Sequence, residues 1–109
     1  MSCPFCGIAS KEIKAPVVHE TADVIAFDDI SPMAPVHVLV IPKKHITEIK
    51  ALGDLVTEIF KVIPEVAKKK GVFDTGFRVV LNKGPAAGQA VDHLHFHVLG
   101  GRALKWPPG

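Results

Sequence analysis

The stretch His93-Leu94-His95-Phe96-His97-Val98-Leu99 contains the alternation that decides both the fold and the chemistry of this chain. Successive side chains of a β-strand point to opposite faces, so the three histidines share one face and Leu94, Phe96 and Val98 share the other. We therefore predict a strand over residues 92–99. The apolar set fixes its register, because a slip by one residue would turn three imidazoles toward the core.

Four more β-type runs lie N-terminal to this strand, and one helix separates them into two groups. The first two runs are close enough to form a hairpin, and the third is nearly wholly apolar, as a strand covered on both faces would be. The four predicted strands cover residues 17–20, 24–27, 36–41 and 77–82. Five strands in mixed order with one main helix indicate an α+β domain with an antiparallel sheet.

The helix is predicted between Asp54 as its N-cap and Gly71 just past its end. Apolar residues recur at helical spacing between them, and the run 68–70 of three lysines complements the C-terminal dipole. Pro64 removes one amide donor, so we expect a kink there. The helix is long enough to cross one face of the sheet.

Composition places the chain among ordinary globular domains. Its 109 residues suffice for a single domain spanning 1–109, with 48% apolar and 22% charged residues. A net charge of +2 is too small for a nucleic-acid footprint, and the uncharged stretch 30–42 is too short to span a bilayer. Residues 1–7 resemble no export signal, so the two cysteines are expected to be reduced and the protein cytoplasmic.

Three of the six histidines at successive same-face positions require an explanation beyond a solvent-facing strand. The row at His93, His95 and His97 either binds a transition metal or contains a nucleophile with neighbours that orient it and move protons. The small-residue loop 84–89 comes just before this row and would let backbone amides approach an anion. That loop favours phosphate chemistry beside a nucleophilic imidazole.

Five motifs together resemble the histidine-triad (HIT) family and, within it, the Hint branch. They are the histidine row 93–99, residues 29–37, residues 40–46, Gly100-Gly101-Arg102 and the tail Trp106-Pro107-Pro108-Gly109. The resemblance covers nearly the whole chain and is weakest over residues 47–76. It implies a HIT-like fold with a five-stranded sheet, a main helix and short helical segments, which dimerises into a larger continuous sheet.

The resemblance implies a nucleotidyl hydrolase that cleaves the P–N bond of purine nucleoside 5′-phosphoramidates (AMP-amides) or attacks the α-phosphorus of related aminoacyl adenylates. His95 would be the nucleophile and would form a nucleotidyl-histidine intermediate, with no metal required for this step. His97 would be a phosphate-side partner, His93 a structural or proton-handling neighbour, and His37 a fourth histidine near the site.

The resemblance also implies a nucleotide site built from a ribose-binding carboxylate, an apolar base pocket, phosphate-binding amides and a tail that reaches the partner subunit's site in a homodimer. Asp29 would bind the ribose, and Phe27 and Ile30 would line the base pocket. The phosphate side would include Asn82, Gly88 and Gln89, and Trp106 would be the residue of the tail. The residues alone leave other roles open, since Phe27 and Ile30 could be core and Asp29 could cap a turn.

Two positions depart from the Hint pattern. Ala90 stands where a serine that helps to hold the leaving amine is usual, and Asp92 stands where an aromatic residue is usual. Both departures concern the leaving group and the surroundings of His93, and neither removes the nucleophile.

Cys3-Pro4-Phe5-Cys6 is a second candidate site. Thiolates at this spacing can chelate zinc, but a redox pair or two buried thiols fit the same spacing. By resemblance to some bacterial HIT proteins, Cys3, Cys6, His45 and His93 would complete a structural zinc site.

Two alternatives to the phosphoramidase remain. The first is a dinucleoside polyphosphate hydrolase of the same superfamily, which would share the chemistry of His95. The second is a non-catalytic interaction protein that binds a purine nucleotide or zinc. Binding of nucleic acid or of a membrane is not expected.

Overall fold

The computed structural model describes residues 3–109, so the first two positions of the N-terminal stretch discussed above lie outside it. The strands are β1 (Val17–Glu20), β2 (Val24–Asp28), β3 (Val36–Pro42), β4 (Phe77–Leu81) and β5 (Phe96–Gly100), and the α-helices are α1 (Pro4–Ala9) and α2 (Leu55–Lys69). Two 3₁₀ turns lie at Ile49–Ala51 and Pro85–Ala87. In the described part of the chain, no helix combines the length and the apolar character needed to cross a membrane.

The five strands form one sheet in the order β1-β2-β3-β5-β4, and each neighbouring pair is antiparallel. The predicted α+β class with a five-stranded antiparallel sheet and one main helix is confirmed. The sheet order places β3 and β5 side by side in the centre, so residues 36–42 and 96–100 bring their side chains together. Strands β1 and β4 lie at the two edges.

Helix α2 covers one face of the sheet and encloses the larger core. The buried side chains of this core include Val38 and Val40 from β3 and Ile59, Ile63 and Val66 from α2. The apolar set predicted for the last strand also lies here, since Leu94, Phe96 and Val98 all belong to this core. The helix continues through Pro64 and ends before Gly71, whose φ of 75° suits a residue without a side chain.

Helix α1 covers part of the opposite face, where a second, smaller core forms. Phe5 from α1 packs there with Ile25 and Phe27 from β2 and with Leu39 and Ile41 from β3. The face that carries the histidines is therefore covered as well. His93 is fully buried and His95 is only 6% exposed.

The last strand is shorter than the predicted span of 92–99, because β5 begins at Phe96. The backbone before it bonds outside the sheet. The Leu94 amide donates to the Ile46 carbonyl at 2.8 Å, and the His93 carbonyl accepts from the ring of His95. Side chains still alternate between the two faces of the sheet in this irregular segment, although its backbone makes no regular β-ladder hydrogen bonds.

Helix α1 was not predicted from the sequence. Pro4 occupies its first turn, where a missing amide proton costs nothing, and Cys3 is its N-cap, whose Sγ accepts from the Cys6 amide at 3.4 Å. The Cys-x-x-Cys motif is thus also the first turn of a helix.

Candidate active site

A cleft of about 400 Å³ opens on the face of the sheet that α1 covers in part. Its walls are mainly apolar and come from α1, from the segment before β1 and from the central strands. The apolar walls include Phe5, Ile8, Ile13, Phe27, Ile30 and Leu39, and the polar lining includes Asp29, His95 and His97. An apolar cleft with a few convergent polar groups has the usual form of a small-molecule site.

The ring of His95 is held by a backbone carbonyl. Its Nδ1 lies 2.7 Å from the His93 oxygen, and since a carbonyl only accepts, Nδ1 carries the proton. The unprotonated nitrogen is then Nε2, whose lone pair is free. The Phe5 ring stands edge-on to this imidazole, with centroids 5.0 Å apart at an angle of 78°. His95 is thus a fixed, buried imidazole with one available nitrogen at the cleft.

His97 and His37 form a hydrogen-bonded pair whose proton positions follow from their partners. The Met33 amide donates to His37 Nδ1 at 3.0 Å, so the proton of the neutral His37 ring is on Nε2. His37 Nε2 lies 2.8 Å from His97 Nδ1 and donates to it. The proton of His97 is therefore on Nε2. That nitrogen is buried and has no hydrogen-bond partner in the described part of the chain.

Burial keeps both rings of this pair uncharged at neutral pH. Burial, with smaller contributions from the neighbouring His95 and His37, lowers the pKa of His97 to about 4, and Asp29 partly opposes the shift. Burial also lowers the pKa of His37, partly opposed by Asp29. His97 thus offers a neutral N–H donor beside His95, and a buried donor without a partner is a site for an acceptor atom of a ligand.

Asp29 lies at the mouth of the cleft, just after β2. One carboxylate oxygen accepts the Ser31 amide at 2.8 Å, as in an Asx turn, and the other lies 3.5 Å from His37 Nε2. Both roles that the sequence left open are compatible with this position, because the turn uses Oδ1 and leaves Oδ2 facing the site.

A second group of polar side chains brings together Cys3, Cys6, His45 and His93, whose ligand atoms all lie within 4.8 Å of one another. His93 Nδ1 is 3.4 Å from Cys3 Sγ and 3.7 Å from Cys6 Sγ, and His45 Nδ1 is 3.2 Å from Cys6 Sγ. Burial and the adjacent Cys3 raise the pKa of the Cys6 thiol. The sequence motif and the two distant histidines therefore meet at one point.

The donor set and its protonation fit zinc. Zn–S bonds of about 2.3 Å and Zn–N bonds of about 2.0–2.1 Å in a tetrahedron place sulfur and nitrogen ligands about 3.6 Å apart, close to the separations found here. His93 Nε2 donates to the Pro42 carbonyl at 2.8 Å, which leaves Nδ1 unprotonated toward the sulfurs. A backbone carbonyl behind the imidazole is the usual support of a metal-binding histidine.

The three histidines of the row face different partners and do not converge on one metal. His93 faces the cysteines, His95 bonds to a carbonyl, and His97 bonds to His37. Asp29, His37 and His97 form a further cluster of possible ligands, but the 2.8 Å hydrogen bond between its two rings uses His37 Nε2 and His97 Nδ1 and leaves a proton on His97 Nε2. The geometry of the row favours the nucleophile interpretation over the metal interpretation.

The loop 84–89 uses most of its amides internally. The amides of Gly84, Ala87, Gly88 and Gln89 all donate within the loop, the first of them to the Gln89 side chain at 2.8 Å. The Gln89 side-chain amide also donates to the Val91 carbonyl. These four amides are therefore not free for a phosphate. Asn82, Gly88 and Gln89 do not line the cleft, so their contact with phosphate stays a prediction.

Trp106 also lies away from the cleft of its own chain. It is 80% exposed, and its ring centroid is 6.0 Å from the Arg78 guanidinium carbon, while Arg78 holds the tail through the carbonyls of Leu104 and Lys105. Ile30, at the rim of the cleft, is 90% exposed. Both residues are large apolar groups that the single chain leaves uncovered.

The sequence reasoning missed the part of the cleft that α1 and the following turn contribute. Phe5, Ile8 and Ile13 supply much of its apolar wall, and Lys14 lies at its edge. The sequence signal for these wall residues is the three-residue spacing of Phe5 and Ile8, which is typical of one face of a helix.

Comparison with known proteins finds similarity over nearly the whole chain. A family model described as the HIT domain matches residues 10–104. An uncharacterized HIT-like protein of Synechococcus elongatus is 44% identical over 109 residues, which covers 96% of this chain and 95% of that protein. The crystal structure of a HIT family hydrolase from Legionella pneumophila has a TM-score of 0.93 at 44% identity and covers 99% of this chain and 100% of its own. A histidine triad nucleotide-binding protein from Candida albicans has a TM-score of 0.86 at 34% identity and covers 97% and 83% of the two chains.

Proposed function

The chain belongs to the HIT-domain family, and on that premise we propose that it is a nucleotidyl hydrolase of the Hint type. Its substrates are purine nucleoside 5′-phosphoramidates such as AMP-amides, together with the related aminoacyl adenylates, in which the bond to the leaving group is P–O, and His95 is its nucleophile. The observation that carries this proposal is the hydrogen bond from His95 Nδ1 to the His93 carbonyl, which leaves the Nε2 lone pair free at the cleft.

The reaction proceeds by covalent catalysis in two displacements. His95 Nε2 forms a bond to the α-phosphorus while the P–N bond of the substrate breaks, and the departing nitrogen takes up a proton from solvent to leave as the free amine. Water then attacks the same phosphorus, and the bond to His95 breaks to release the nucleoside monophosphate. The unpartnered N–H of His97 supports both steps by donating to a phosphate oxygen, which carries more negative charge in each transition state.

The nucleotide itself fits the character of the cleft. An apolar slot between Phe27, Phe5 and Ile30 suits the faces of a purine, and Asp29 Oδ2, which the turn does not use, suits a ribose hydroxyl. The Candida albicans relative is named as a nucleotide-binding protein, which supports the same ligand class.

We further propose that Cys3, Cys6, His45 and His93 hold a structural zinc ion, as the donor set and the tautomer of His93 suggest. Bound zinc would act as a cross-link between the N-terminal helix and the sheet, with no part in the displacement at phosphorus. Thiols that ligate metal must remain reduced, which supports the expected cytoplasmic location.

A homodimer is also proposed, with β4 as the shared edge. This strand is only partly buried. Phe73, which stacks on Phe77 of β4, is 44% exposed, and Phe60, which contacts Phe96 of the neighbouring β5, is 49% exposed. Pairing of β4 with its copy would satisfy its free backbone groups and extend the sheet across two subunits. It would also cover apolar surface and bring a tail with Trp106 toward the partner's cleft.

The proposal is tested by intact-mass analysis after mixing the protein with an AMP amide. Wild type is expected to acquire one nucleotide on His95 and to release AMP, and His95→Ala is expected to do neither while keeping its fold. His19→Ala is the matched control, because His19 bonds to Lys69 outside the cleft and should react like wild type. Full turnover by His95→Ala would refute the assignment.

Two further outcomes separate the alternatives. Faster cleavage of diadenosine polyphosphates than of AMP amides would identify the polyphosphate hydrolase. Tight AMP binding without any turnover would identify the non-catalytic nucleotide-binding protein.

A further inference from the structure

We propose that Cys3 and Cys6 form a thiol–disulfide redox pair that controls nucleotide binding. Oxidation to a disulfide removes both sulfur ligands from the cluster with His45 and His93. This change releases α1 from the sheet and lowers the affinity of the cleft for a nucleotide. This inference rests on the proposed function, because nucleotide affinity is the property that it says is controlled.

The two sulfurs are close and accessible enough to react with each other. They lie within 4.8 Å at the first turn of the same helix, and the Cys6 amide already donates to Cys3 Sγ. Both cysteines are free and only partly buried. They are also the two cysteines of the whole sequence, so no competing intramolecular disulfide exists.

Helix α1 joins this cluster to the cleft. Cys3 at its N-cap and Cys6 in its first turn face the histidines of the cluster, while Phe5 and Ile8 form part of the cleft wall. The Phe5 ring makes edge contacts with His95 at 5.0 Å and with Phe27 at 5.7 Å between centroids. A displacement of α1 therefore moves the wall against which a base would pack.

The position of α1 depends on its attachments. With six residues, it is far too short to be stable as an isolated helix. It is held by the small core around Phe5 and by the sulfur–histidine cluster. Loss of the cluster removes the attachment at its N-terminal end and leaves the apolar contacts alone.

His93 links the cluster to the nucleophile directly. Its ring faces both sulfurs through Nδ1, and its backbone carbonyl fixes the proton on the His95 ring. The ring of His93 thus contacts the cysteines, while its backbone carbonyl fixes the tautomer of His95.

The oxidant is a hydroperoxide such as hydrogen peroxide. One thiolate attacks a peroxide oxygen and becomes a sulfenic acid as the O–O bond breaks, and after protonation one water leaves. The second thiol attacks the sulfenic sulfur, the S–S bond forms and a second water leaves. Two electrons pass from the sulfurs to the peroxide, and a dithiol reductant reverses the step. Because disulfide sulfurs are not anionic ligands, any bound zinc is released.

The test follows full-length, zinc-loaded protein through one redox cycle. Zinc content, intact mass and the Kd for AMP are measured on the reduced protein, after peroxide, and after treatment with a dithiol and zinc. We expect loss of two hydrogens by mass, release of zinc and an increase in Kd of about tenfold, comparable to the loss of one aromatic wall contact. All three changes should reverse.

Cys3→Ser/Cys6→Ser should bind AMP as weakly as the oxidised protein and should not respond to peroxide. If this variant does not fold, the redox cycle of the wild type still decides. Met33 is 70% exposed and is another target of peroxide, so Met33→Leu is oxidised in parallel and should behave like wild type. A thiol-specific azo oxidant should reproduce the effect.

A disulfide that forms without a change in Kd would overturn the inference and leave the proposed function intact. Failure to form an intramolecular disulfide would do the same. If the reduced, zinc-loaded protein does not bind AMP at all, the proposed function and this inference both fall.

Discussion

The His97 imidazole makes the stability of the fold depend on pH in the acid range. Burial, with smaller contributions from His95 and His37, lowers its pKa from 6.5 to about 4. Between these two pH values the unfolded chain binds a proton on this histidine and the folded chain does not. The free energy of unfolding therefore keeps its full contribution from His97 above pH 6.5, the unfolded pKa, and decreases as the pH falls below it. Linkage over this gap gives a loss of about 2 kcal/mol at about pH 5.

The measurement is urea unfolding of wild type and His97→Gln at about pH 7.5 and about pH 5. Glutamine keeps an acceptor for His37 Nε2 and does not titrate. The free energy of unfolding of the variant should fall by about 2 kcal/mol less than that of wild type between the two pH values. His93, whose pKa is also lowered by burial, is present in both proteins, so its contribution cancels in the difference. An equal fall in the two proteins would show that His97 is not held uncharged by the fold.

Three further predictions concern the core, the ribose and the subunit interface. Leu94 is fully buried in the helix-side core, so Leu94→Ala should lower the free energy of unfolding by about 2–5 kcal/mol in urea titrations. An unchanged value would place that side chain outside the core. Asp29→Ala should reduce AMP affinity by about tenfold or more by calorimetry, yet hardly change binding of the 2′,3′-dideoxy analogue. Equal losses for both ligands would contradict ribose recognition. Phe60→Glu should shift the sedimentation of the protein from dimer to monomer, since Phe60 is half exposed and packs on Phe96, which pairs with Leu81 of the β4 edge. A stable dimer of this variant would argue for another interface.

Local sequence patterns were sufficient to predict the elements that carry most of the fold. The alternation over 93–99 placed Leu94, Phe96 and Val98 in the helix-side core, where they lie. The predicted cap and stop of the main helix agree with Leu55–Lys69, although Asp54 makes no side-chain capping bond. These signals are local, because each depends on the periodicity or backbone freedom of a few neighbouring residues.

Long-range contacts account for what the sequence did not predict. The histidine face is buried because α1 returns over it, and α1 was hidden in a motif that suggests chemistry more than helix formation. The internal hydrogen bonds of the loop 84–89 depend on the direction of the Gln89 side chain, which composition does not specify. The tautomers of His95 and His97 likewise follow from carbonyl and ring partners that only the folded chain brings together.

The acceptor that orients the His95 ring is a main-chain oxygen, and a point mutation changes side chains only. Substitutions around this ring therefore leave the hydrogen bond between His95 Nδ1 and the His93 carbonyl in place. The cleft walls are built from exchangeable side chains such as Phe5, Ile13 and Lys14. Laboratory evolution can then vary those walls to accept other leaving groups while the reactive nitrogen keeps its direction.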